Sequence, residues 1–305
     1  MISLKQIHYA LAVAKTKHFK KAAEECAVSQ SALSTAIHEL EKQLGFQIFE
    51  RDNKKVLITP VGTQFLEKAQ QIRLEVEDLY SLANTQKEPL SYPMSLGVIP
   101  TIGPYLLPKV LPELRKQYPD FKLQIVEEQS HELVDRVRKG EIDTAILALP
   151  YDLEGLLAFE FWEEDFYWVT HSSDEHGTQE EITSDELKEA KLMLLKDGHC
   201  LKDHALAACK LPPSESNTSF NSTSLHTLIQ MVAGRMGTTL VPQMALDQLI
   251  SNPSELKAVH LNEPGPHRRI AFITRPNYAG VNSIEVLMTL FKQQLTANCH
   301  QPDGG

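Results

Sequence analysis

The stretch FKKAAEECAVSQSALSTAIHELEKQLGFQIFER, from Phe19 to Arg51, holds two helical patterns separated by a short turn. Ala22 and Ala23 are small residues on the first helix, and Val28 closes the turn. Ser29 suits the N-cap of the second helix, because its hydroxyl accepts one of the backbone N–H groups that a first turn leaves unpaired. Beyond it Ala32, Leu33, Ala36, Ile37 and Leu40 recur at helical spacing and predict a buried stripe. The other face carries Gln30, Ser31, Ser34, Thr35 and His38, short polar groups able to approach base edges and phosphates. The pattern predicts a helix-turn-helix.

Downstream, ERDNKKVLITPVG places Arg51, Lys54 and Lys55 around an Asp-Asn turn before an apolar-rich strand, the composition of a wing that lies along a DNA backbone. Thr59 followed by Pro60 starts a helix. Along it Val61, Phe65, Ile72, Val76, Leu79 and Ala83 recur every three or four residues or a small multiple of that, a seam expected to bury itself against a second copy. NTQKEPLSYP breaks the pattern and reads as a linker. A basic hairpin alone is usually a solvated turn; the order of helix-turn-helix, basic wing, seamed helix and linker is what carries information. The expected limits are a DNA-binding domain over 1–58, a dimerisation helix over 59–84, a hinge over 85–93, a regulatory domain over 94–296 and a flexible tail over 297–305.

At 305 residues the chain suits about two domains. Its net charge of −10 argues against nucleic acid until it is divided by region. Residues 1–73 carry 11 basic against 7 acidic side chains, and residues 74–305 carry 19 against 33, so a basic end is hidden in an acidic total. The first residues are too interrupted by Lys5, Gln6 and His8 for a signal peptide, and no long apolar run follows, so a cytoplasmic protein away from membranes is expected. Four cysteines, Cys26, Cys200, Cys209 and Cys299, are too sparse for a secreted disulfide framework and lack zinc-site spacing. The histidines form no H-E-x-x-H or similar set, and neither a metal nor a cofactor is expected. Cys26 falls among helix-turn-helix core positions and Cys299 in a polar tail.

From Met94 onward strand-like segments (MSLGVI, KLQIVE, DTAILAL, FYWVT, KLMLL, TTLVP and RIAFITR) alternate with helical ones such as HELVDRVRKG and SLHTLIQMVAG. This predicts an α/β fold with a mostly parallel sheet and room for two subdomains. Ligands in such folds sit beyond the carboxyl ends of strands. Thr101, in IPTIGPYLLP, falls there after the first strand, its hydroxyl and nearby backbone donors placed to face an anion or small polar ligand.

Phe19 to Arg51 together with TPVG resemble the N-terminal signature of LysR-type transcriptional regulators, and the order of parts agrees over the whole chain. Within that family GVIPTIGPYLLP and above all LLKDGHCLKDHALAAC look like the OxyR peroxide sensors. The resemblance implies a homotetrameric, DNA-bound regulator of antioxidant genes with RNA polymerase as a further partner. It also implies a C-terminal domain like type II periplasmic binding proteins, with Cys200 as peroxidatic thiol and Cys209 as resolving thiol. The family's supporting residues fall on Thr101, His199 and Arg268 or its neighbour Arg269. Where relatives usually carry threonine, this chain has Ser130.

If CLKDHALAAC is helical when reduced, its cysteines lie about 13 Å apart along the axis on opposite faces. A disulfide needs Cα atoms within about 7 Å, so bond formation and the intact helix exclude each other. Cys200 at a helix start, near Lys202 or Arg268, is expected to favour the thiolate. Thiolate formation gains only roughly 30-fold, so donors from Thr101, Ser130, His199 and an arginine are needed as well. A sulfenic acid on Cys200 captured by Cys209, and returned by a cellular reductant, is the expected cycle. The plainer alternative for two such cysteines is a pair of inert buried thiols. Two other functions compete: a LysR-type regulator responding to a metabolite, and a thiol enzyme such as a peroxidase or cysteine hydrolase.

Overall fold

The computed structural model describes residues 1–52, 55–82, 89–188, 190–196, 198–210, 224–250 and 255–299. The chain divides into two compact units, 1–86 and 87–305.

In the first unit α1 (Leu4–Thr16), α2 (Phe19–Glu25) and α3 (Gln30–Leu44) precede an antiparallel hairpin of β1 (Phe49–Asp52) and β2 (Lys55–Ile58), and α4 (Pro60–Leu82) follows. The three short helices are capped by local side chains: Ser3 with Gln6, His18 Nδ1 accepting from Lys20 and Lys21, and Ser29 Oγ accepting from Ala32. Leu33, Ile37 and Leu40 are fully buried against Ala10, Val13, Ala22 and Ala23, each contributing about 1.5–3 kcal/mol. Ala32 is exposed and Ala36 only half-buried, so the stripe is narrower than the spacing predicts. The buried Glu41 carboxylate accepts the N–H groups of Ile48 and Phe49 at 2.8 and 3.1 Å, fastening the hairpin to the end of α3. Thr59 Oγ1 donates to Gln47 O at 2.7 Å and accepts from Gly62 N at 2.8 Å. A Cβ on Gly62 would stand 2.3 Å from the Ile48 carbonyl oxygen, which explains the glycine of TPVG.

The second unit contains two sheets. The larger has the order β4 (Leu123–Glu127), β3 (Met94–Val98), β5 (Thr144–Leu149), β11 (Arg268–Thr274), β6 (Leu157–Glu164), and the smaller has β8 (Glu181–Ile182), β10 (Leu256–Leu261), β7 (Phe166–His171), β9 (Thr239–Pro242). Between strands run α5 (Gly103–Gln117), α6 (Ser130–Arg138), α7 (Ser184–Leu187), α8 (Cys200–Ala208), α9 (Leu225–Ala233), α10 (Leu246–Leu249) and, last, α11 (Val281–Cys299). β5 is buried at every position, as a central strand covered on both faces must be.

The sheets are mixed rather than mostly parallel. β3 pairs in parallel with β4 and β5, but β11 is antiparallel to β5 and β6, and β7 is antiparallel to β9 and β10. KLMLL is not a strand. It holds only isolated bridge residues, Leu192, which pairs with Thr238, and Leu195, because its apolar run is satisfied by burial rather than by a strand ladder. β6, β8 and β10 escape the sequence reading, since their outward residues (Glu160, Glu181, Lys257) dilute the apolar signal. The chain crosses between sheets twice, from β6 to β7 and from β10 to β11. α11 continues to Cys299, three residues into the segment expected as a tail. Among the described residues no helix is long and apolar enough to cross a membrane.

Candidate functional site

The parallel strands β3, β4 and β5 end on one edge of the larger sheet, and β11, antiparallel to β5, begins there. Thr101 follows β3, Ser130 opens α6 after β4, Ala148 and Pro150 lie at the end of β5, and Arg268 is the first residue of β11. α8 adds Cys200 as its first residue, with the Ser130 hydroxyl, the Ala148 N–H and the Arg268 charge all acting on the thiol. The geometry therefore gathers Thr101, Ser130, Cys200 and Arg268 at one place. Gly198, just before Cys200, has φ +96°, and a Cβ there would stand 2.5 Å from Gln129 Oε1. The loop ahead of Cys200 is thereby laid against the residue ahead of Ser130.

Arg268 is buried. Its Nε and Nη2 donate to Glu164 Oε1 at 2.6 and 2.5 Å, and Nη2 also donates to the Thr101 carbonyl at 3.2 Å. Arg269 points the other way and pairs with Glu160 at 2.9 Å on the surface, so Arg268 is the arginine of this site. His199 is buried at the N-cap of α8 without capping it, and burial followed by the charge of Lys196 holds its pKa below the usual imidazole value.

At this site Thr101 Oγ1, Arg268 Nη1 and His204 Nδ1, all buried, have no hydrogen-bond partner, and the buried Ser130 Oγ has none besides the Cys200 thiol. Buried polar groups are nearly always paired, and such a set suits a small guest that both donates and accepts. His204 was not evident as a candidate from composition or spacing alone, although it stands one helical turn from Cys200. Its Nε2 lies 2.9 Å from the Pro150 carbonyl. A carbonyl can only accept, so Nε2 carries the proton and Nδ1 presents a lone pair. Burial, with Arg268 nearby, lowers the His204 pKa and keeps the ring neutral.

The expectation of a thiolate-favouring Cys200 is reversed. Burial, the largest effect, raises its pKa above 9.0 against the opposing pull of Ser130, Arg268 and the Ala148 N–H, and Asp203 raises it further. The helix start does not suffice because the thiol is desolvated and the Arg268 charge is shared with Glu164.

Cys209 caps the far end of α8, fully buried, and burial together with Glu263 pushes its thiol up to about 12. Both cysteines are free. An unbroken helix joins them, so they lie about 13 Å apart along its axis and on opposite faces. Lys210 follows with φ 52° and pairs with Glu263 at 2.7 Å.

In the first unit Gln30, Ser31, Thr35 and His38 are exposed on α3 and Ser34 is half-buried. Lys54 lies outside the described residues, as do the side chains of Arg51 and Lys55, whose backbones form the hairpin. On α4, Leu66, Ala69 and Leu74 are buried, whereas Val61, Ile72 and Leu79 are exposed and Phe65 and Val76 half-buried. Ala83 of that seam lies outside the described residues. Cys26 is half-buried against the helix-turn-helix core, and the Cys299 side chain is outside the described residues. Among the described residues no group of His, Cys, Asp and Glu is arranged to hold a metal.

Residues 4–63 match the bacterial regulatory helix-turn-helix protein, lysR family, and residues 87–296 match the LysR substrate binding domain. The chain belongs to the LysR family. This LysR-family chain is 36% identical to the HTH-type transcriptional regulator EstR of Acinetobacter baylyi over 298 residues, 98% of each chain. It is 35% identical to the hydrogen peroxide-inducible genes activator of Dickeya chrysanthemi over 275 residues, 90% of each. A full-length OxyR cysteine variant from Pseudomonas aeruginosa has a similar structure, with TM-score 0.80 and 33% identity over 96% of this chain and 95% of that one. At this level the LysR-family chain is a DNA-binding transcriptional regulator of OxyR-like type, in a family of regulators rather than enzymes.

Proposed function

We propose that this protein senses hydrogen peroxide through Cys200 and Cys209 and thereby changes how it engages promoter DNA at antioxidant genes. The observation that supports this most strongly is a buried thiol, set among unpartnered polar atoms, at the opposite end of a single helix from a second buried thiol. Peroxide enters against Thr101, Ser130, His199 and Arg268. The Cys200 sulfur attacks one peroxide oxygen, the O–O bond breaks, and the departing hydroxide takes the thiol proton to leave as water, giving a sulfenic acid on Cys200. α8 then unwinds. Once Cys209 meets solvent its pKa returns from about 12 toward 9.0, which raises its thiolate fraction by about three orders of magnitude. Its sulfur displaces the second water and forms the disulfide. A cellular dithiol supplies the two electrons that restore the reduced helix.

The DNA contacts are assigned to Gln30, Ser31, Ser34, Thr35 and His38 on α3 and to Arg51, Lys54 and Lys55 at the hairpin. The exposed seam of α4 is assigned to a homodimer, and tetramer assembly, RNA polymerase contact and a cytoplasmic setting belong to the same proposal. The domain limits proposed are those of the sequence reading, 1–58, 59–84, 85–93, 94–296 and 297–305. Replacing Cys200 by Ser tests the function. A peroxide-dependent change in the DNA footprint is expected to vanish, and a footprint that still responds would refute the proposal.

A second reading has its own support, because EstR, whose name specifies no peroxide, matches 98% of the chain at 36% identity. In it a small metabolite occupies the strand-end crevice. A ligand that alters DNA affinity in a protein lacking both Cys200 and Cys209 would establish that reading.

A further inference from the structure

The buried cation next to Cys200 is held at the crossing between the two sheets. Glu164 is the last residue of β6, Arg268 is the first of β11, and the two are directly paired in register. Neither side chain has measurable exposure. Glu164 Oε1 accepts both Nε and Nη2 of Arg268, and Oε2 accepts the Met244 N–H at 2.7 Å, just after β9 of the smaller sheet. The carboxylate is thus fully engaged, while Arg268 Nη1 keeps an unpartnered N–H.

A buried guanidinium with a spare donor, beside the buried hydroxyls of Thr101 and Ser130, is the usual chemistry of an anion site. Here the charge is offset in place. Pairing leaves the direction of the N–H intact but removes the net positive charge that would draw in an anion. A neutral guest that accepts a hydrogen bond loses little from this balance, whereas an anion entering a desolvated site loses the Coulomb attraction that must repay its own desolvation.

We propose that Glu164 determines oxidant specificity: by neutralising Arg268 it makes the Cys200 pocket select uncharged peroxides and exclude anions. This rests on the peroxide-sensing reading of the same site. Glu164 acts through Arg268 and is a positioning residue.

The test compares the full-length reduced protein with Glu164→Gln, Glu164→Asp and Arg268→Gln. One readout is the ratio of single-turnover rates of Cys200 oxidation by hydrogen peroxide, which is neutral, and by peroxymonosulfate, an anion at neutral pH. Taking the ratio cancels changes in the thiolate fraction. Glu164→Gln is expected to lower the peroxide preference by about tenfold or more, and Glu164→Asp to retain it. Should Glu164→Gln fail to fold, Arg268→Gln reads the same balance from the other side, with the preference for the neutral oxidant increased. The second readout needs no peroxide chemistry: sulfate, compared with sodium chloride at equal ionic strength, is expected to raise the melting temperature of Glu164→Gln but not of the parent. An unchanged rate ratio, or an equal sulfate response in parent and Glu164→Gln, overturns the proposal. A parent whose Cys200 ignores peroxide while the sulfate difference persists refutes peroxide sensing and leaves the charge balance standing.

Discussion

Cys200 and Cys209 occupy the first and capping positions of one continuous helix, both buried, on faces that point away from each other. The helix is held at its middle and just beyond its C-terminal end. His204 Nε2 ties it to the end of β5 at Pro150, and Lys210 ties the residue after Cys209 to Glu263. The proposed Cys200–Cys209 disulfide therefore requires refolding of this segment rather than a side-chain rotation.

Removing the Ser130 hydroxyl takes away a group that favours the Cys200 thiolate and is otherwise unpartnered. Ser130→Ala is expected to slow the reaction with peroxide by about a hundred- to a thousandfold in stopped-flow thiol assays, the usual range for loss of one aimed donor. Ser130→Thr keeps the hydroxyl and is expected to retain most of the rate. Equal rates for all three proteins would remove Ser130 from the site.

Because burial lifts Cys200 above 9.0, its thiolate fraction at neutral pH lies below that of a free cysteine. Alkylation of Cys200 by iodoacetamide is expected to keep climbing with pH beyond 9. A rate that levels off below pH 8 would show an activated resting thiolate and contradict the burial argument.

The acid side of the stability profile reports on Glu263. Lys210, followed by Ser184, holds the Glu263 carboxylate down to about 2 from an ordinary 4.5. A depressed carboxylate contributes stability that is present above its unfolded pKa and lost as pH falls through the folded one. Denaturant unfolding of the reduced protein is expected to show this loss between pH 4.5 and about 2, and Lys210→Met to reduce it. The same substitution frees the end of α8 and is expected to make disulfide formation easier. Identical pH profiles would show that the ion pair does not anchor the helix.

On the DNA side, Gln30→Ala is expected to weaken preferred sites more than random sequence, because Gln30, exposed on α3, is among the residues proposed to contact bases. Lys54→Ala is expected to weaken all sequences alike and to reduce the salt slope by about one unit. A salt slope left unchanged would remove Lys54 from the backbone contacts.

The first unit was legible in the sequence because its signals are local. Ser29 caps α3, and Leu33, Ile37 and Leu40 repeat at helical spacing. The gathering of Thr101, Ser130, Cys200 and Arg268 was reached by resemblance, since the four lie in four separate segments of the chain. What local pattern could not convey was their environment. Glu164 reads as one more surface carboxylate in FWEED until β6 is placed beside β11, and the raised Cys200 pKa follows from burial rather than from the helix start that precedes it in the chain. KLMLL failed for the related reason that a short apolar run does not reveal whether burial or strand pairing satisfies it.

The most direct measurement is peptide mapping by mass spectrometry after stoichiometric hydrogen peroxide, on the full-length protein and on Cys209→Ser. The helix switch requires a Cys200–Cys209 linkage in the first, with Cys26 and Cys299 still reduced, and a sulfenic acid at Cys200 in the second. Peroxide consumed while the thiols at 200 and 209 both remain free would contradict it.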